Sequence, residues 1–165
     1  MVASSPGSVS RDQRKTTDAH QPETAKDGPS LILAAVDGTE TSMRAAACAV
    51  GIARRDGARL IFMFVRAAVM MGGTAAMAIA ALRESDAATA LELEGLAAER
   101  ASSLGVDITF LDRDGDPYEN VVRAARQYEV DLIVVGASMS LGHRFAGALG
   151  VRLVRARLCP VLVVP

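Results

Sequence analysis

At 165 residues, half of them apolar, the chain suits one domain with a substantial core. A net charge of −1 excludes a bulk electrostatic footprint for nucleic acid or an acidic membrane, and the absence of tryptophan argues against a stacking platform for single strands. Two cysteines, Cys48 and Cys159, form neither a disulfide framework nor a zinc site; they read as small buried hydrophobes of a reducing, cytoplasmic setting.

Residues 1–29 are polar, lack any apolar period and carry balanced charges, so they are expected to be a disordered tail ahead of a single domain over 30–165. No secretory signal is visible, and the longest apolar run, Ala67 to Leu82, is shorter than the roughly 20 residues of a spanning helix. Gly72 and Gly73 interrupt that run, so no membrane span is expected.

From Ser30 the texture changes. "LILAAV" (31–36) is a continuous apolar run, as a strand covered on both faces requires. A helix follows to about Arg55, with Ala45, Cys48, Ala49 and Ile52 as its stripe, and "DGA" (56–58) stops it with a glycine. "RLIFMFV" (59–65) is a second buried strand. Residues 66–83 are open between loop and loose helix; a firm helix is expected from about Ser85 to Leu104. "VDITFLD" (106–112) alternates and suits an edge strand. Asp116 caps a further helix, with Pro117 at its first position and Glu119 placed for a capping box. Its expected inner stripe is Tyr118, Val121, Val122, Ala125 and Tyr128. "LIVV" (132–135) is a fourth buried strand, and a helix from about Ala148 to Arg157 leads to "VLVV" (161–164). The βαβαβαβαβ order predicts an α/β fold: one open, mostly parallel sheet of five strands with helices on both faces. Periodicity leaves the flavodoxin-like and Rossmann-like strand orders both open.

In such sheets ligands bind beyond the carboxyl ends of strands where the strand order reverses. Two segments leave such ends: "VDGTETS", with Asp37 directly after the first strand, and "GASMSLGHRFAGALG" (136–150) after the fourth. Asp37 suits a ribose or a Mg²⁺ ion, and equally the cap of the next helix together with Thr39. The glycines suit a phosphate cradle, and equally a plain loop with close helix packing. Walker, G-x-S-x-G and H-E-x-x-H patterns are absent, and His143 is the one histidine outside the tail, so binding rather than catalysis is expected. Asp112, Asp114 and Asp116 alternate like part of a calcium loop but lack its bidentate glutamate.

"ILAAVDGTETS" (32–42), "YEVDLIVVGAS" (128–138) and "LCPVLVVP" (158–165) together resemble the universal stress protein family. The resemblance implies strand order 3-2-1-4-5, a homodimer through the last strand (160–165) and, in ATP-binding members, a nucleotide loop of the form G-x2-G-x9-G-(S/T). Gly136 and Gly147 match its first and last glycines, and Gly142 a further glycine of the loop. Asp37 matches the acid after strand one, and Val65 the strand-two end that borders adenine. Met139 stands where the second glycine is due, Ala148 replaces the hydroxyl residue, and the loop is two residues short. A hydrogen bond lost to a charged group costs about 1.5–3 kcal/mol. Ser138, Ser140, His143 and Arg144 are expected to compensate in part.

The implied reading is a regulatory stress protein with a weak or altered site for ATP, AMP or cyclic AMP, and Mg²⁺ only with the nucleotide. The alternative is a nucleotide-free dimeric module of the same family, with Arg152, Arg155 and Arg157 facing an acidic protein partner. An adenylyl-transferring enzyme needs an S-G-G-x-D-S loop after strand one, where this chain has "AVDGTETS".

Overall fold

The computed structural model describes residues 27–66, 76–137 and 146–165, without side-chain detail at 76–79, 82 and 146–148. The elements run β1 (Leu31–Val36), α1 (Glu40–Asp56), β2 (Arg59–Arg66), α2 (Ala76–Leu104), β3 (Ile108–Asp114), α3 (Pro117–Gln127), β4 (Leu132–Gly136), α4 (Ala146–Ala156) and β5 (Val161–Val164). The strands pair in parallel in the order β3-β2-β1-β4-β5, so the alternating "VDITFLD" run supplies an edge strand. Parallel neighbours need crossovers, and each crossover here is a helix.

The sheet separates two cores. Ile32, Ala34, Leu60, Phe62 and Val134 face α1 and α2, while Leu33, Ile61, Met63, Ile133 and Val135 face α3 and α4. Alternation along each strand sends successive side chains to opposite layers, which is why β1, β2 and β4 read as unbroken apolar runs. On α1 the stripe is nearly all alanine (Ala45, Ala46, Ala49 and Ala53, with Val50), so the helix lies close on β1 and β4. Cys48 and Ile52 are half-buried at the margin rather than central, so the expected stripe is rotated by about one residue.

Local signals hold where their chemistry is local. Gly57 ends α1 in the left-handed conformation at φ 59°, and its N–H donates to the Ala53 carbonyl. Asp116 caps α3 by accepting from the Glu119 N–H at 2.9 Å. Buried Asn120 donates to the carbonyls of Asp114 and Asp116, fixing the turn that leads in. Of the expected stripe, Val121 and Ala125 are buried with Ala124, Tyr118 and Val122 pack against the same core, and Tyr128 is exposed at the C-cap of α3.

Two helices start earlier than the pattern suggested. α4 begins at Ala146, and α2 at Ala76, which resolves the ambiguous stretch over 76–83 as helix. Thr89 lies beside Gly38 at the end of β1, and among the side chains described the first buried one of α2 is Ala90. The helix runs for about 20 Å ahead of Thr89, at 1.5 Å per residue over residues 76–88. The expected tail falls, but for residues 27–29, outside the described residues. No helix among the described residues is long and apolar enough to cross a membrane.

Candidate functional site

The strand order reverses between β1 and β4, and both lead away to helices at their carboxyl ends. Register places the expected residues there together. Val36 lies beside Phe64, so Asp37 and Val65 stand level at the ends of β1 and β2; Ala35 lies beside Val135, so Gly136 stands level with Val36. Asp37, Val65 and Gly136 thus share one rim, at the switch point where an α/β sheet takes a ligand.

Asp37 is exposed, and one carboxylate oxygen is already committed. Its Oδ1 accepts from the Thr39 N–H at 3.0 Å and from the Thr39 hydroxyl at 2.6 Å. Thr39 is the N-cap of α1 and accepts from the Ser42 N–H at 3.3 Å. Ser42, buried, donates its hydroxyl to the Thr39 carbonyl and accepts from the Asp37 N–H. Asp37 therefore braces the cap rather than being the cap. Its Oδ2 makes no hydrogen bond among the described residues. Between them Gly38 holds φ at 78°, a backbone shape that side chains other than glycine resist.

Gly136 has a demanding environment. A Cβ built there would lie 2.7 Å from the Ser42 nitrogen, 2.7 Å from the Thr41 carbonyl carbon and 2.8 Å from the Thr41 oxygen. All three are backbone atoms, so nothing flexible can give way. The glycine is required to seat the first turn of α1 against the end of β4, whatever ligand the rim takes. Beyond it the Ala137 N–H donates to the Val164 carbonyl at 2.6 Å, continuing the β4–β5 ladder.

Val65 is half-buried and packs into the α3–α4 core. Gly147 and Ala148 fall in the first turn of α4. Ser138, Gly142 and Arg144 lie outside the described residues.

Sequence reading missed Arg66. It follows Val65 at the end of β2 and forks onto Asp112, Nε to Oδ1 at 3.0 Å and Nη2 to Oδ2 at 2.7 Å, with Asp114 at 3.4 Å. Two of the acids that resembled a calcium loop, Asp112 and Asp114, are thus paired with an arginine one strand away while Asp116 caps α3, and no metal-binding cluster occurs among the described residues. The signal was available only through register, since Arg66 lies beside Asp114. Arg152, expected to face outward, stacks on the Tyr118 ring at 3.9 Å and lies 3.9 Å from Asp116. Arg155 and Arg157 are exposed. Burial raises the Cys159 thiol above its ordinary value.

Known proteins share this fold. Universal stress protein YxiE of Bacillus subtilis is 27% identical over 143 residues, covering 81% of this chain and 97% of its own. Universal stress protein UspA from Lactobacillus plantarum superposes with a TM-score of 0.71 at 27% identity, covering 82% of this chain and 97% of its own. A universal stress protein solved in complex with cAMP gives a TM-score of 0.58 at 23% identity, covering 84% and 98%. A family protein from Arabidopsis thaliana with AMP bound gives 0.60 at 21%, covering 82% and 91%. Residues 30–165 match the model of the Universal stress protein family, and the chain belongs to that family.

Proposed function

We propose that this stress-response protein carries a weak adenine-nucleotide site at the rim formed by β1 and β4, and that it binds ATP, AMP or cyclic AMP to bias a partner surface rather than to turn substrate over. The observation that carries the reading is the level placement of Asp37, Val65 and Gly136 at the switch point, with the second Asp37 oxygen available to a ribose hydroxyl. The cAMP and AMP complexes of relatives support the ligand class.

The weakness follows from the loop. Met139 and Ala148 replace a glycine and a hydroxyl residue, and one hydrogen bond lost to a charged phosphate lowers affinity about tenfold to a hundredfold. Mg²⁺ enters only as the partner of bound phosphates. Among the described residues Asp37 has no acid–base partner at the rim, and binding rather than catalysis is the reading we favour. The chain works in the cytoplasm, consistent with its two unpaired cysteines.

A second reading, a nucleotide-free module, draws on a different observation: β5 is an edge strand and its Val163 is exposed. A bare apolar edge is a template for another chain, and β5 pairing with a second copy makes the homodimer. One preparation separates the readings. The purified protein is denatured and its released small molecules are chromatographed, and native protein is then titrated calorimetrically with ATP, AMP and cAMP. Saturable binding supports the nucleotide site; a dimer by light scattering without any nucleotide binding supports the module.

A further inference from the structure

We propose that the groove between α1 and α2 is a second ligand site, one that takes an unbranched alkyl carboxylate with its head at Arg100. The groove arises from packing. α1 lies over β1 and β4 while α2 lies over β2 and β3, and α1 lines the gap between them with Met43, Ala46, Ala47 and Val50. Leu93, Leu96 and Ala97 line it from α2. The space left is about 290 Å³, floored by Val36 and Phe62.

Its size and shape select the ligand. An apolar cavity of roughly 150 Å³ takes up a ring of six carbons, so this one accommodates about twelve heavy atoms, the size of decanoate. The lining on α2 runs from Leu93 to Leu104, about 16 Å along the helix axis, which suits a chain rather than a fused ring. Every lining side chain but one is apolar; the exception is Arg100. Arg44, Arg55, Arg66 and Arg152 each have a carboxylate partner, whereas none of the described carboxylates pairs with exposed Arg100. Arg54 follows Val50 by one turn and adds a second cation toward the same end, also without a carboxylate partner among the described residues. A carboxylate held there places its alkyl chain along Ala47 and Leu96 toward Met43. The upper end stops at Val36 and Met43, below the rim that holds Asp37, so this site is separate from the nucleotide cleft.

The test titrates the full chain with decanoate, octanoate and decanol, followed by calorimetry and by amide chemical shifts. Decanoate is expected to saturate one site and shift amides of both helices, and octanoate to bind about tenfold more weakly for its two missing methylenes. Arg100→Gln, an exposed change that leaves the core untouched, is expected to weaken decanoate about tenfold and leave decanol unchanged. Ala47→Trp fills the groove and is expected to abolish both, with circular dichroism confirming the fold. No saturable binding, equal binding by Arg100→Gln and the native protein, or displacement of decanoate by AMP would each overturn the assignment.

Discussion

Gly136→Ala separates packing from ligand binding at the rim. The added methyl carbon would sit 2.7–2.8 Å from three backbone atoms of Thr41 and Ser42, well inside the 3.4 Å at which ordinary contact begins. Either α1 retreats from β4 or the end of β4 twists away. Overpacking of a rigid site costs about 1–3 kcal/mol. Shifting the first turn also strains the Thr39 cap, worth about 1 kcal/mol. The expected loss is about 3 kcal/mol, a fall in Tm of about 6–12 °C for a chain of this size. Urea unfolding of the nucleotide-free protein, followed by circular dichroism, measures it. Gly51→Ala is the internal control: it lies on an exposed face of α1 with nothing within 4 Å, and the change should stabilise by about 0.5–1 kcal/mol. Equal stability of Gly136→Ala and the native chain would refute the packing role and leave close approach of a ligand as the reason for the glycine.

Asp131→Ala should cost about 1–3 kcal/mol, because its Oδ2 accepts from the N–H groups of Ser30 at 2.8 Å and Leu31 at 3.0 Å; denaturant unfolding measures the loss. Glu129 follows the C-cap of α3 at φ 54°, so Glu129→Gly should raise stability by about 1 kcal/mol, read as a higher urea midpoint. The Cys159 thiol is raised by burial, so its share of stability is present below its ordinary pKa of 9.0 and is lost as pH rises through the folded value. Cys159→Ser should therefore flatten the alkaline limb of a stability–pH curve; an unchanged limb would contradict the burial of that thiol.

β1, β2 and β4 were legible because each is covered on both faces and reads as an apolar run, as Leu31–Val36 shows. Capping chemistry was legible because Asp116, Pro117 and Gly57 act within a few residues of themselves. What escaped was non-local. Arg66 finds Asp112 across 46 residues, and only the β2–β3 register brings them together. The demand on Gly136 comes from the backbone of Thr41 and Ser42, which no spacing rule places beside β4. The start of α2 escaped for another reason: "AMAIAAL" (76–82) is apolar at every position, so it shows no helical period to read. The site divided in the same way. Asp37 was visible from its place after β1, but its bond to Thr39, which leaves one oxygen for a ligand, required the folded turn.

Titration of the full chain with AMP, followed by amide shifts and compared with Asp37→Ala, tests the nucleotide site most directly. The account predicts saturable weak binding that shifts the amides of Gly38, Val65 and Gly136 and is reduced at least tenfold by Asp37→Ala. The absence of any saturating shift at millimolar AMP, ATP and cAMP would contradict it.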